Sequence, residues 1–185
     1  MAKVLILFAD GLEEMEAVTP ADLLRRAGVE VTTASISDKL DVTGAHDIVL
    51  KADTLLKKVL ENTYDMLILP GGGVGTQNLA ASSDVSTVVK SQYDAGRHVA
   101  AICAAPTILP KMGIKGHEMT CYPTMEKGTI DPDLFRTDKV VVSTNGNARL
   151  ITSRGPGTAI PFALELIKTL KGEAKMQEIK EQIVF

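Results

Sequence analysis

The chain has 185 residues, a formal net charge of −3 and an aromatic content of 4%. This length is enough to bury a sizeable core, and without a long Pro, Ser or Gly tract we expect one domain over residues 1–185. The acidic balance and the lack of a Lys/Arg cluster argue against nucleic acid as a partner, because such surfaces carry a basic stripe.

The first apolar run, VLILFA, is too short for a signal-peptide core or a membrane span. It predicts a first strand instead. Cys103 and Cys121 both lie in strand-like contexts, and nothing in the sequence indicates export. We therefore expect free thiols, a reducing cytoplasmic compartment and no membrane partner.

Short β-branched runs alternate with helical patterns along the chain. This alternation is typical of βα units around a largely parallel, buried sheet, and it predicts an α/β fold. The predicted strands cover residues 3–9, 30–36, 47–50, 65–70, 98–103, 118–122, 139–144 and 149–153. The first, second, fourth and fifth of these runs are the predicted core strands.

The helical signals are clearest in the stretch TPADLLRRAG. Thr19 is the predicted N-cap, Pro20 takes the first helical position and a glycine ends the helix. Because proline lacks an N–H, we expect the preceding LEEME to form a separate short turn, with Glu16 just beyond the first strand. Residues 84–96 and 157–172 carry apolar residues at three- and four-residue steps and predict core-facing helices.

Three stretches follow predicted strands directly: ADGLEEME, PGGGVG and CAAP. In open parallel sheets, ligands bind beyond the carboxyl ends of the strands. We therefore expect these stretches to meet at one site.

Cys103 ends an apolar run and precedes small residues and a helix-like segment. A thiol at a helix N-terminus gains from unpaired N–H groups and the positive end of the dipole, which lowers its pKa. Small residues after it fit a sharp elbow that presents a nucleophile. A small buried residue at a strand end is the commoner role of a single cysteine, so this stretch alone leaves both interpretations open.

The stretch PGGGVG also has two interpretations. It forms either a tight turn, where glycine tolerates positive φ, or a set of exposed N–H groups that stabilise an oxyanion. It lacks both the G-x-G-x-x-G spacing and a closing Gly-Lys-Ser/Thr, so we expect no nucleotide cofactor. Cys103 and Cys121 belong to no paired ligand motif, so we expect no metal site.

Glu16 shares one acidic stretch with Glu13 and Glu14, for which a solvated turn is the simplest account. If one carboxyl instead faces an apolar pocket near the thiol, burial raises its pKa and the protonated acid donates a hydrogen bond to the thiolate. No histidine directly follows Cys103 to act as its base. His46 precedes a short strand and either lies in solvent or reaches a pocket or interface.

Four stretches together resemble the DJ-1/ThiJ branch of the DJ-1/PfpI superfamily, which is class I glutamine amidotransferase-like: ADGLEEMEAVTPADLLRRAG, YDMLILPGGGVGTQNL, AAICAAPTIL and ITSRGPGTAIPFALELI. The resemblance runs in order over nearly the whole chain. It implies a flavodoxin-like three-layer α/β sandwich with a mostly parallel central sheet and a nucleophile elbow. It also implies a homodimer and a site that needs no cofactor.

The resemblance implies roles for four residues. Cys103 is the nucleophile, easily oxidised to sulfinate, and Glu16 is the acid that hydrogen-bonds it. The backbone N–H groups of Gly72 and Ala104 are the oxyanion donors. The implied activities are cofactor-free conversion of methylglyoxal or glyoxal to hydroxy acids, deglycation of early glyoxal adducts, and redox-sensing or chaperone-like protection.

The chain departs from the family pattern at three positions. Tyr122 stands where the best-known animal members have a histidine, so a proton-shuttling role does not carry over, and Tyr122 is a candidate pocket residue. His46 stands where those members have an arginine. Ala104 replaces the histidine that follows the cysteine in the protease branch, which argues against a peptidase.

Two hypotheses share the Cys103 thiol. In the first, the thiolate attacks a small α-oxoaldehyde to form a hemithioacetal, and Glu16 moves a proton between its two carbons. In the second, Cys103 is oxidised as a stress signal in a protective protein. A third possibility is that the site has lost activity, because Tyr122 stands in place of the family's histidine. The sequence does not separate the three.

Overall fold

Buried apolar runs build the centre of the protein. The computed structural model describes the backbone of residues 1–185 and every side chain except that of Asn145. The strands are β1 (Lys3–Phe8), β2 (Glu30–Ser35), β3 (Asp41–Thr43), β4 (Val49–Lys51), β5 (Thr54–Leu55), β6 (Met66–Leu69), β7 (His98–Ile102), β8 (Val140–Asn145) and β9 (Ala148–Ser153). Over the described backbone, seven of them form one sheet in the order β5-β2-β1-β6-β7-β9-β8. The strand pairs of this sheet are parallel except β8–β9, and β3 pairs with β4 in a separate antiparallel ribbon.

Helices cover both faces of this sheet. They are α1 (Glu14–Arg26), α2 (Gly73–Ala81), α3 (Ser83–Asp94), α4 (Ala159–Lys171) and α5 (Glu173–Gln182). Apolar residues of α1, α4 and α5 pack on one face, and those of α2 and α3 pack on the other. The predicted α/β sandwich with a mostly parallel central sheet is confirmed. Of the helices in the described chain, none has the length and apolar character needed to cross a bilayer.

The four predicted core strands are confirmed, and the predicted strand at 118–122 is wrong. In this segment Met119 makes a single parallel bridge to Phe135, and the Thr120 N–H donates to the Thr152 hydroxyl. Because its backbone groups bond to loops and side chains rather than to a neighbouring strand, the segment runs as an irregular connection.

The strand predicted at 47–50 lies slightly later, at Val49–Lys51. Asp47 has a φ of 62°, in the left-handed region. A residue in that region belongs to a turn rather than to a strand. The turn joins β3 to β4.

The first helix begins earlier than the sequence predicts. Its N-cap is Glu13 rather than Thr19, and it continues through Pro20, so the predicted separate turn before the helix is wrong. The Glu13 carboxylate accepts a hydrogen bond from the Glu16 N–H, which satisfies one of the free donors at the helix start. Pro20 withholds the bond that the Glu16 carbonyl would accept in a regular helix. Burial of Ala17, Pro20 and other residues of α1 against the sheet holds the helix together despite that loss.

Candidate active site

Cys103 lies in a sharp turn directly after β7. Its φ is 65°, which is uncommon for a residue other than glycine. Its N–H donates to the Ser153 carbonyl at 3.0 Å, and its carbonyl accepts from the Tyr122 N–H at 2.8 Å. These two bonds hold the left-handed conformation and present the thiol at the carboxyl edge of the sheet.

The segment after Cys103 is a short 3₁₀ helix, Ala105–Ile108, and not the predicted longer helix with an aligned dipole. Pro106 in its first turn further reduces the number of free N–H groups. The backbone N–H groups of Gly72 and Ala104 lie close enough to the sulfur to lower the pKa of Cys103. Negative charge on the sulfur is therefore stabilised by individual hydrogen bonds and not by a helix dipole.

Glu16 lies in the first turn of α1 and is completely buried. Its Oε2 accepts a hydrogen bond from the Gly71 N–H at 2.9 Å, while the described residues give Oε1 no partner of standard geometry. The carboxyl is within hydrogen-bonding reach of the Cys103 thiol. One oxygen is thus anchored, and the group is placed to share a proton with the sulfur.

Gly71 lies close to both the Cys103 side chain and the Glu16 carboxyl. A Cβ at this position would lie 2.6 Å from the Cys103 Cβ and 2.6 Å from the Glu16 Oε2. Any side chain here would push the two groups apart. The stretch PGGGVG signals a tight turn but not which glycine approaches the thiol, so sequence reasoning missed Gly71.

Burial and charge set the protonation of Glu16. Burial and, to a smaller extent, the negative charge of Glu13 raise the pKa of Glu16 to about 7, against the opposing hydrogen bonds from Cys103 and Gly71. At neutral pH this carboxyl therefore holds a proton in a large share of molecules.

The pKa of the Cys103 thiol is raised, whereas the sequence predicted that it would be lowered. Burial and the neighbouring Glu16 charge raise the pKa of Cys103 to about 12, against the hydrogen bonds from Gly72 and Ala104. Cys103 and Glu16 are a coupled pair, which holds one proton between about pH 7 and about pH 12. The sulfur is a thiolate whenever Glu16 holds that proton.

The Cys103 thiol, the Glu16 carboxyl and two backbone N–H groups thus meet at the carboxyl edge of the sheet. The DJ-1/PfpI family model matches the chain over residues 2–169. The chain belongs to the DJ-1/PfpI family. The resemblance drawn from its motifs is confirmed.

Relatives match this DJ-1/PfpI chain over almost its whole length. It is 41% identical over 181 residues to the Drosophila melanogaster protein dj-1beta, a match that covers 97% of this chain and 95% of that protein. It is 36% identical over 177 residues to a Caenorhabditis elegans protein named glutathione-independent glyoxalase DJR-1.2, covering 95% and 92%. The solved structure of oxidized Toxoplasma gondii DJ-1 matches with a TM-score of 0.94 and 35% identity, covering 100% of this chain and 99% of that one.

Tyr122 lies beside Cys103 through its backbone, because its N–H donates to the Cys103 carbonyl. Its ring is 46% exposed, and a Cβ at Gly155 would lie 3.3 Å from a ring carbon. The structure gives the Tyr122 hydroxyl no hydrogen-bond partner among the described residues. The described contact of the ring is with Gly155, so a role for Tyr122 as a pocket residue stays a prediction.

His46 is held away from the thiol by a different partner. Its backbone N–H and its Nδ1 meet the Glu14 carboxylate at 2.7 Å and 2.8 Å, and this hydrogen bond raises the pKa of His46. The carboxylate and imidazole atoms of Glu13, Glu14 and His46 lie within 4.8 Å of one another. The ion pair of His46 with Glu14 accounts for this cluster, so we assign no metal to it.

Proposed function

We propose that this protein converts α-oxoaldehydes such as methylglyoxal and glyoxal to hydroxy acids without a cofactor. The observation that carries the proposal is the pair of Cys103 and Glu16, which shares one proton beside two backbone donors. The Caenorhabditis elegans relative named as a glutathione-independent glyoxalase supports the reaction class. Early glyoxal adducts release the same aldehydes on reversal, so deglycation belongs to the same proposal.

The first step is attack by sulfur on the aldehyde carbon. The Cys103 thiolate forms the C–S bond, and the electron pair of the carbonyl moves onto oxygen. The N–H groups of Gly72 and Ala104, which already face the sulfur, stabilise the resulting oxyanion. Protonation of this oxygen by Glu16 completes the hemithioacetal.

The second step moves hydrogen between the two carbons of the substrate. Glu16, now ionised, removes the proton from the carbon bonded to sulfur and returns it to the neighbouring carbon through an enediol, while the hydroxyl proton of the first carbon passes to the oxygen of the second. The first carbon is oxidised to a thioester and the second is reduced to an alcohol, so no external oxidant is needed. Water then cleaves the thioester, which releases the hydroxy acid and restores the Cys103 thiol.

Redox sensing through Cys103 is the second candidate. The same N–H groups and the protonated Glu16 that stabilise a thiolate also stabilise a sulfinate at this position. The structure of the Toxoplasma gondii relative is that of an oxidized protein, which supports this chemistry for the fold.

The deciding experiment measures lactate formed from methylglyoxal in glutathione-free buffer. We expect freshly reduced wild type to form lactate, and Cys103→Ala to form none above background. Absence of lactate from reduced wild type contradicts the enzyme proposal. In that case, mass spectrometry of Cys103 after peroxide treatment tests the redox alternative, which requires a sulfinate and a change in partner binding.

The expected homodimer stays a prediction. Several apolar side chains of α1 and the β3–β4 ribbon are more than 40% exposed: Met15, Val18, Ile48 and Val49. We propose that a second copy of this chain covers them. Sedimentation of wild type as a dimer, and of Val49→Asp as a monomer, is the expected result; a monomeric wild type contradicts it.

A further inference from the structure

We propose that Glu13 is a positioning residue for the Cys103–Glu16 pair: its carboxylate fixes Glu16 in place and favours the protonated form of Glu16. This inference rests on the proposed function only for the identity of the reactive pair. Glu13 is itself buried, with 8% of its surface exposed, although it lies at the start of a helix.

The geometry is a closed cycle of three hydrogen bonds. The Glu13 N–H donates to the Gly71 carbonyl at 3.1 Å, and the Gly71 N–H donates to the Glu16 Oε2 at 2.9 Å. The Glu16 N–H then donates to the Glu13 Oε2 at 2.9 Å. Because each residue is both donor and acceptor, the cycle fixes the backbone and the carboxyl of Glu16 against the end of β6.

The charge of Glu13 acts on the same group. Among the described residues, the titratable groups that act on Glu16 are Cys103, beyond β7, and Glu13, in its own helix turn. A negative charge at Glu13 disfavours a second negative charge at Glu16, so the shared proton stays on the carboxyl. The charge of Glu13 therefore shifts the balance of the pair toward the arrangement in which the carboxyl is protonated and sulfur is the thiolate.

The neighbouring residue Glu14 allows the role of Glu13 to be distinguished from a general effect of negative charge in this turn. Glu14 is almost as buried, with 7% of its surface exposed, but its carboxylate binds the backbone and ring of His46. Among the described residues, its carboxylate makes no hydrogen bond to a member of the three-bond cycle. Glu14→Gln therefore removes an equally buried charge one position away and serves as the matched control.

The test measures the rate of Cys103 alkylation by iodoacetamide between pH 5 and pH 9, followed by mass spectrometry. Alkylation reports the thiolate directly and does not require turnover of methylglyoxal. The variants are Glu13→Gln, which keeps a hydrogen-bond acceptor without charge, and Glu13→Ser, a neutral residue that caps helices well. Glu13→Asp keeps both the charge and the cap. Thermal unfolding of each variant confirms that it is folded.

We expect the wild-type rate to rise with a midpoint near pH 7, where the pair loses its first proton. Both neutral variants should move this midpoint down by about one pH unit and lower the rate above it by roughly threefold to tenfold. Glu13→Asp and Glu14→Gln should keep the wild-type midpoint. A purely structural role would lower the rate without moving the midpoint.

The inference is overturned if the folded neutral variants keep the wild-type midpoint, or if Glu14→Gln shifts it equally. If one neutral variant fails to fold, the other decides the outcome. A midpoint shift in a protein that forms no lactate supports the role of Glu13 while contradicting the proposed function. Lactate formation with an unmoved midpoint supports the proposed function while contradicting the role of Glu13.

Discussion

Cys103 and Cys121 are both buried, and burial raises the pKa of each thiol to about 12. They differ in their partners. Cys121 lies in the core on the opposite face of the sheet and donates its thiol hydrogen to the Tyr122 carbonyl at 3.4 Å, which stabilises the protonated form. Cys103 has a carboxyl that takes a proton and N–H groups that bind a negative sulfur. The comparison teaches that partners, and not burial, separate a candidate nucleophile from a core residue.

The largest expected effect comes from a substitution that disturbs the close approach of Cys103 and Glu16. In Gly71→Ala, the new methyl group meets both the Cys103 side chain and Glu16, so we expect lactate formation to fall by about 100-fold. Gly73→Ala is the matched control, because a Cβ there meets nothing within 4 Å, and its activity should stay within about twofold of wild type. Equal activity in the two variants would show that the spacing of the pair is not limiting.

The second prediction removes the carboxyl that distinguishes Cys103 from Cys121. Glu16→Gln should raise the alkylation rate of Cys103 at pH 8 by about tenfold, because the ionised carboxylate that raises the pKa of Cys103 is gone. Iodoacetamide labelling followed by mass spectrometry measures this rate. An unchanged rate would show that the charge of Glu16 does not control the thiolate.

The same variant should be more stable than wild type at alkaline pH. Since the folded-state pKa of Glu16 is raised from 4.5 to about 7, the folded state binds the proton more tightly than the unfolded state. Wild type therefore loses stability as pH rises from 4.5 to about 7, and Glu16→Gln does not. We expect a gain of about 2 kcal/mol in the free energy of unfolding at pH 8. Urea unfolding at pH 8 and pH 4 measures it, and an equal gain at both pH values would point to a cause other than ionisation.

Cys121 supplies the converse test. Cys121→Ala should keep lactate formation within about twofold of wild type, since its thiol faces the other core. It should lower the free energy of unfolding by about 1 kcal/mol, because a small cavity replaces a completely buried sulfur. Thermal unfolding and the lactate assay check both parts. A large loss of activity would connect the two thiols.

The smallest expected effect is that of Tyr122→Phe. The side chain is exposed and its hydroxyl has no hydrogen-bond partner among the described residues, so lactate formation should change by less than about twofold. A drop of more than about tenfold would give the hydroxyl a chemical role. Steady-state turnover at saturating methylglyoxal decides between the two.

The sequence predicted the framework well because apolar runs are a strong signal. The strands β1, β2, β6 and β7 were predicted to within two residues at each end, since most of the residues in these four strands are buried. The segment 118–122 has the same apolar character, but its partners come from loops distant in sequence. The local sequence pattern cannot distinguish a strand of the sheet from such an irregular segment.

The interior of the site was harder to predict. Pro20 suggested a helix start, but the true cap is Glu13, a residue type with little preference for that position. Its capping role depends on burial against the end of β6, which only the tertiary structure supplies. The predicted lowering of the pKa of Cys103 was wrong for the same reason. The burial that raises this pKa is a property of the assembled core.

Both backbone groups of Cys103 are hydrogen-bonded: its N–H donates to the Ser153 carbonyl, and its carbonyl accepts from the Tyr122 N–H. The backbone therefore cannot advance toward a bound molecule, and the sulfur moves only by rotation about the Cα–Cβ bond. An electrophile has to come to the sulfur along the arc that this one torsion allows.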